Sequence, residues 1–135
     1  MARKRHLSRI AVMQALFERE HRAGGDEGEA LVRRMAELGE VDAAFARSLL
    51  EGVLRHEAKI KDAIGTHAPG WSLERMDPIS RCVLMVGAFE LLFANDAPPA
   101  VVMNEAIDIA KEYGTDEGGK FVNGVLNAIA HRNEK

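Results

Sequence analysis

The chain has 135 residues, of which 47% are hydrophobic and 29% charged, so it is long enough to bury a core and has the composition of a folded globular protein. No apolar run reaches membrane-spanning length, and the basic start is not followed by the apolar stretch of an export signal. The single cysteine, Cys82, excludes an internal disulfide, and these features together predict a cytoplasmic protein with no membrane association.

The first half of the chain is predicted to form three helices. Apolar residues at helical spacing predict the first over about residues 5–22. Asp26 is a suitable capping residue for a second, short helix that stops at Gly39. Asp42 begins a third and longer helix, whose apolar side continues without a break until Gly65.

The second half is predicted to be helical as well. After a turn at 69–72 and one helical turn, Asp77-Pro78 places a capping residue beside a proline suited to the first helical position. The following segment, 79–93, is apolar nearly all round, which predicts a buried central helix. Two further helices are expected, over 101–113 and after a glycine-rich turn at 114–119. No segment alternates like a strand, so the fold class is all-α, with about six to seven helices.

The charge of the chain is unevenly distributed. The net charge is −3, yet the first 17 residues contain Arg3, Lys4, Arg5 and Arg9 and no acid, so this segment carries +4 and the rest −7. Cations at the start of a helix oppose its dipole. A phosphate backbone would relieve that repulsion, and the basic segment therefore favours a polyanionic partner.

Residues for catalysis or metal binding are not evident in the sequence. The serines lack a nucleophile motif, and the histidines are scattered rather than paired at ligand spacing. The segment from Gly114 to Lys120 has the spacing of a phosphate-binding loop, but Phe121 stands where serine or threonine is required. The prediction is a protein with no catalytic residue, no metal and no cofactor, hence not an enzyme.

The start of the last predicted helix offers a second binding feature. Lys120, Phe121 and Asn123 combine a cation, an aromatic ring and an amide, which suit stacking of an unpaired base. The alternative is that Phe121 belongs to the core, which is the commoner case for an aromatic residue. The sequence leaves both interpretations open.

Several segments together resemble the NusB family of bacterial transcription antitermination factors. The run Arg9–Phe17, RIAVMQALF, resembles the opening helix of that family, and FEL at 89–91 is similar to its YEL segment. The strongest likeness lies in PAVVMNEAIDIAK at 99–111, followed after the glycines by KFVNGVL at 120–126. The resemblance covers essentially the whole chain, and the region 24–40 is the least diagnostic.

The resemblance implies a fold, a function and a site. The expected fold is one NusB-like domain over 1–135, made of two small helical bundles at about 1–68 and 69–135. The expected function is binding of boxA-type single-stranded RNA together with ribosomal protein NusE, in an antitermination complex with RNA polymerase that reads through terminators. The expected RNA-binding residues are Arg3, Lys4, Arg5, Arg9, Phe17, Lys120, Phe121 and Asn123, and Glu90 is expected near the NusE-binding side.

The sequence departs from the family pattern at several positions. Phe17 and Phe89 replace the commoner tyrosine, which keeps the ring and loses the hydroxyl. Met85 stands where the family often has arginine, so the polar contact of that arginine is not expected here. Two consecutive glycines, Gly118 and Gly119, are expected to make the approach to Lys120 looser than usual.

Two other functions remain open at this stage. One is a protein-only adaptor, or a dimer in which the RNA surface is covered, because the sequence does not distinguish a monomer from a homodimer. The other is a stand-alone relative of the amino-terminal RNA-binding domain of ribosomal RNA cytosine methyltransferases. Such an enzyme needs a further α/β domain, which is not expected in a chain that ends at Lys135.

Overall fold

The described residues form seven α-helices and no strand, which confirms the all-α prediction. The structure is a computed structural model that describes residues 2–22 and 24–132. None of the helices in these two ranges is long and apolar enough to cross a membrane. The helices are α1 (Ala2–His21), α2 (Glu27–Leu38), α3 (Ala43–Arg55), α4 (Glu57–Thr66), α5 (Pro78–Phe89), α6 (Pro99–Tyr113) and α7 (Asp116–Ala130); a 3₁₀ turn, Leu73–Arg75, precedes α5, and a π-helical turn, Glu90–Ala94, follows it.

Local capping residues set the start of four helices. The side chains of Asp26, Asp42 and Asp77 accept backbone N–H hydrogen bonds at 3.1, 3.0 and 2.9 Å, as their sequence positions predict. Thr115 does the same for α7, at 2.9 Å from the Gly118 nitrogen. Caps of this kind stabilise a helix by about 1 kcal/mol each.

The single helix predicted from Asp42 to Gly65 is wrong, because the chain breaks at His56 into α3 and α4. His56 has φ −109° and ψ 19°, and its ring stacks on Phe93 with the centroids 4.0 Å apart. No glycine or proline marks the break, and the apolar period continues through it. The contact that accompanies the break lies far along the chain, so local sequence carries no signal for it.

The expected glycine turn before Lys120 is also different in the structure. Gly118 and Gly119 lie inside the first turn of α7 and are buried. A Cβ atom on Gly118 would lie 2.9 Å from Ser80 Oγ, and one on Gly119 would lie 2.8 Å from Lys111 Cγ. The glycines therefore allow α7 to approach α5 and α6 closely, and the expectation of a loose approach to Lys120 is wrong.

The central helix α5 contacts α1, α3, α4, α6 and α7. Its direction follows from its partners: Arg81, near its start, binds Glu20 at the end of α1, whereas Glu90, just past its end, binds Arg9. Thus α1 runs antiparallel to α5. Because α5 contacts helices from both halves of the chain, the division into bundles at 1–68 and 69–135 stays a prediction.

Candidate nucleic-acid interface

Arg9, one of the predicted RNA-binding residues, is buried, whereas a cation that contacts RNA is expected to be exposed. Its side chain is only 4% exposed and donates two hydrogen bonds to Glu90, Nε to Oε2 at 2.7 Å and Nη2 to Oε1 at 2.9 Å. Nη1 donates to Glu105 Oε1 at 2.9 Å. Burial opposes the charged guanidinium, but the hydrogen bonds and charges of these two carboxylates outweigh it and raise the pKa of Arg9.

The expected partner-side residue, Glu90, is buried in the same pair, at 3% exposure. Its two carboxylate oxygens both accept from Arg9, so neither side chain reaches a ligand directly. His6 extends the network, since its Nδ1 lies 3.0 Å from Glu105 Oε2. The network joins the start of α1 to the end of α5 and to α6, and therefore positions the residues around it.

The remaining cations of the basic segment lie at the surface. Arg3 and Lys4 are exposed. Arg5 is partly covered: its Nη1 donates to Asp96 Oδ2 at 3.0 Å, and its Cζ lies 4.4 Å from the centroid of the Phe45 ring. The electrostatic surface predicted from four cations is thus carried by Arg3 and Lys4, with Arg5 shared between solvent and Asp96.

Phe17 lies on the same side of α1 as Arg3. The positions of Arg3, Gln14, Phe17 and His21 are separated by 11, 3 and 4 residues, which places them along one face of an α-helix. Phe17 is half-buried against the core, and its ring stacks on His21 with the centroids 4.3 Å apart. One face of α1 therefore leads from a cation to a pair of stacked rings.

The second predicted half of the site lies at the start of α7. Lys120 and Asn123 are exposed, and Phe121 is half-buried. Phe121 packs against the core and also contacts Trp71, with ring centroids 5.4 Å apart and ring planes at 59°. One part of the Phe121 side chain therefore packs in the core, as the core interpretation predicts, and another part remains exposed, as stacking of a base requires.

Trp71 is the site residue that sequence reasoning did not find. Its side chain is 50% exposed and, with Lys120, Phe121 and Gly118, lines a groove of about 490 Å³. A signal was present in the sequence, since the one tryptophan of the chain follows Pro69-Gly70 in a turn rather than on an apolar helix face. Its neighbour Phe121 lies 50 positions further along, which is why the pairing itself was not predicted.

The exposed cations Arg3 and Lys4 and the start of α7 lie at opposite ends of α5. A Cβ on Gly118 would meet Ser80, and one on Gly87 would meet Leu126, so α7 runs in the same direction as α5. The start of α7 therefore lies at the start of α5, whereas Arg3 and Lys4 lie towards its end. Since α5 has 12 residues, its length is about 18 Å. The predicted residues are therefore spread along α5 and do not line one compact pocket.

A second depression lies beside the 3₁₀ turn. It has a volume of about 610 Å³ and is lined by His21, Lys61, Leu73 and Arg81, among others. This depression lies between α1 and the 3₁₀ turn, because its lining includes His21 and Leu73. The groove beside Trp71 is instead lined by Met76, which follows the turn. The stacked rings of α1 and the Lys120 corner are thus separated by the segment 71–77.

The departures from the family pattern at Met85 and Phe89 fall in the interior. Met85 is 3% exposed, and Phe89 is 8% exposed with its ring over Gly52. Cys82 is also buried, and burial raises the pKa of its thiol, which disfavours the reactive thiolate. Within residues 2–22 and 24–132, no three His, Cys, Asp or Glu side chains are grouped as metal ligands.

Comparisons of sequence and of structure with known proteins all find similarity to NusB proteins. A model of the NusB family matches residues 6–131. The transcription antitermination protein NusB of Thermobifida fusca is 38% identical over 128 residues, covering 95% of this chain and 89% of the relative. T. maritima NusB superposes with a TM-score of 0.85 at 38% identity, covering 96% of this chain and 92% of the other. In a structure of antitermination factors NusB and NusE in complex with dsRNA, one chain matches with a TM-score of 0.87 at 31% identity, covering 98% and 99%.

Proposed function

The chain belongs to the NusB family, and we propose on that basis that it binds boxA-type single-stranded RNA together with ribosomal protein NusE, as part of an RNA polymerase antitermination complex in the cytoplasm. Membership confirms the resemblance drawn from the sequence. It also agrees with the prediction of a non-catalytic protein, since the relatives are named as transcription antitermination proteins.

One observation carries the RNA-binding part of the proposal. Exposed Arg3 and Lys4 lie towards one end of α5, and exposed Lys120 lies with half-buried Phe121 at the other end, about 18 Å away along the helix. Separated cations suit the regularly spaced phosphates of a linear ligand. The aromatic rings between and beside them suit unpaired bases, which are available for stacking only in single-stranded RNA.

Arg9 and Glu90 have an indirect role in this proposal. Their buried pair holds the start of α1 against α5 and α6, and so sets the direction in which Arg3 and Lys4 project. We assign both as positioning residues, and not as direct contacts to RNA or to NusE. Phe17, Lys120, Phe121 and Asn123 remain proposed RNA contacts.

The similarity to a NusB–NusE structure with RNA supports the choice of partners, although that structure contains dsRNA. The proposal here is for single-stranded RNA, because double-stranded RNA keeps its bases stacked inside the helix and presents mostly backbone. The competing possibility, an adaptor or dimer with a covered RNA surface, predicts NusE binding or self-association without RNA binding.

A titration with both partners tests the proposal. Fluorescence anisotropy of a labelled boxA-type oligoribonucleotide is followed with this protein alone, with NusE alone, and with both. We expect tighter binding with both proteins than with either, and weaker binding of the same sequence annealed to its complement. Equal affinity for single- and double-stranded forms would contradict the single-stranded assignment, and NusE binding without any RNA binding would favour the adaptor.

A further inference from the structure

We propose that Trp71 is a nucleobase-stacking residue that completes the RNA surface around Lys120 and Phe121, an inference that rests on the proposed RNA-binding function. Trp71 is one of four large hydrophobic side chains that are exposed among the described residues; the others are Val32, Val101 and Tyr113. Of these four, Trp71 lines the same groove as Lys120 and packs against a second aromatic ring there.

The two rings form a corner suited to a flat ligand. The ring planes of Trp71 and Phe121 are tilted by 59°, so a planar group stacked on one ring lies at an angle to the other. Aromatic rings attract one another in both the stacked and the edge-to-face arrangement. The groove of about 490 Å³ is within the range of pockets that hold small organic groups.

The charges of the groove favour a base over a phosphate inside it. Its lining includes the carboxylates of Asp77 and Glu117 and one cation, Lys120. Two carboxylates repel a phosphate. Asp77 already accepts from Ser80 through both of its oxygens, so the carboxylate of Glu117 is the one proposed to accept hydrogen bonds from the amino and imino groups of a base. The backbone of the ligand is therefore expected to follow Lys120 at the rim, with the base directed towards Trp71.

The backbone holds Trp71 in place before a ligand arrives. Gly70 has φ +84°, a left-handed conformation that favours glycine, and the Trp71 nitrogen donates to the Ala68 oxygen at 3.1 Å. Beyond it, Arg81 Nη1 donates to the carbonyl oxygens of Leu73 and Met76, at 2.6 and 2.9 Å. A side chain on a braced turn loses little freedom on binding, which favours affinity.

Arg81 connects this turn to the other half of the surface. Its Nε and Nη2 donate to the two carboxylate oxygens of Glu20, at 2.9 and 2.6 Å, one position before His21. Burial opposes the charged form of Glu20, but the hydrogen bonds and the positive charge of Arg81 outweigh the effect of burial and lower the pKa of Glu20. One side chain thus ties the end of α1 to the segment that carries Trp71.

The test uses the fact that Trp71 is the one tryptophan of the chain, so the emission that remains after subtraction of a parallel titration of NusE without this protein reports on this position. The protein, with NusE, is titrated with an unlabelled boxA-type oligoribonucleotide and, separately, with the same length carrying abasic sites. We expect the intact oligonucleotide to quench the emission of Trp71, because a stacked base deactivates the excited indole. The abasic form is expected to quench it far less.

Variants give a second, independent readout by anisotropy with a labelled oligonucleotide. Trp71→Leu keeps an apolar side chain over Phe121 and removes the π-face, and we expect it to weaken binding by about 5- to 140-fold, the equivalent of 1–3 kcal/mol. Trp71→Phe should retain affinity within a few-fold. Val32→Ala, at another exposed apolar side chain, is the matched control and should leave affinity unchanged.

The possible outcomes separate this inference from the function on which it rests. If the oligonucleotide binds by anisotropy but Trp71 emission does not change and Trp71→Leu binds normally, the role of Trp71 is overturned while RNA binding stands. If the unsubstituted protein with NusE binds no oligonucleotide, the proposed RNA-binding function and the role of Trp71 are both contradicted. If Trp71→Leu does not fold, the quenching experiment on the unsubstituted protein still decides.

Discussion

Arg9 and Glu90 form a two-point ion pair in the interior, with Nε to Oε2 at 2.7 Å and Nη2 to Oε1 at 2.9 Å, although they are 81 residues apart in the chain. A buried pair of this kind is far more sensitive to loss of one partner than to loss of both. It therefore couples the position of the basic helix to the integrity of the central one.

We expect Glu90→Ala to reduce the free energy of unfolding by about 3–5 kcal/mol, because it leaves the Arg9 guanidinium buried beside Glu105 alone. The double variant Arg9→Met/Glu90→Met should be more stable than Glu90→Ala, since no unpaired charge remains. Urea denaturation measures both.

The exposed pair Arg55–Glu51 is the control for this experiment. Its side chains are 71% and 75% exposed and 3.8 Å apart, so Glu51→Gln should change stability by less than about 0.5 kcal/mol. A loss from Glu90→Ala no greater than that of the control would contradict the assigned role of the pair.

Neutralising the exposed cations of α1 should change the salt dependence of RNA binding. For Arg3→Gln/Lys4→Gln we expect the log–log slope of affinity against salt to flatten by about 1.4, or about 0.7 for each lost phosphate contact. The control, Arg47→Gln/Arg55→Gln, removes two exposed charges from α3. Equal changes in the two variants would mean that net charge, and not position, determines binding.

Glycine to alanine substitutions test the close packing of α3 on α5. A Cβ on Gly52 would lie 2.1 Å from Phe89 Cζ, so Gly52→Ala should destabilise the protein by about 1–3 kcal/mol. Gly124 is also helical but has nothing within 4 Å of its Cβ position, so Gly124→Ala should stabilise by about 0.5–1 kcal/mol. Opposite signs in thermal unfolding are the expected result; two losses of similar size would exclude the ring contact as the cause.

Acid should weaken the attachment of α2 to α1 through Glu18. The hydrogen bond from Arg33, with the charges of Arg22 and Arg34, lowers the pKa of Glu18 to about 2 although burial opposes this. A folded-state pKa below the unfolded value means that the stabilisation is present above about pH 4.5 and is lost as the pH falls towards 2. Glu18→Gln should therefore lose less thermal stability than the parent protein between these pH values.

The exposed carboxylate Glu40 provides the comparison for Glu18. Glu40→Gln should follow the pH dependence of the parent protein. Arg81 and Arg19 also lower the pKa values of Glu20 and Glu57. The thermal stability that Glu18→Gln loses on acidification should therefore be smaller than in the parent protein but not zero. An unchanged pH dependence in Glu18→Gln would contradict the role of this cluster.

The sequence predicted the helices best where their signals are local. Asp26, Asp42 and Asp77 cap the helices that they were predicted to cap, because an N-cap hydrogen bond joins residues three positions apart. The break at His56 has no local signal, since the ring that it contacts belongs to Phe93. The glycines before Lys120 are typical of a turn in the sequence, and the reason for them is tertiary: the side chains that they make room for, Ser80 and Lys111, come from other helices.

The sequence alone determined the family, the all-α class, the helix caps and the Lys120-Phe121-Asn123 motif. Apolar periodicity, capping and short motifs are properties of residues that are close together in the chain. Tertiary structure alone decided which cations face solvent: Arg9 is sequence-adjacent to the exposed ones but is buried against Glu90. It also placed Trp71 beside Phe121. Burial and pairing depend on which distant segments meet, and those contacts exist only once the helices have packed.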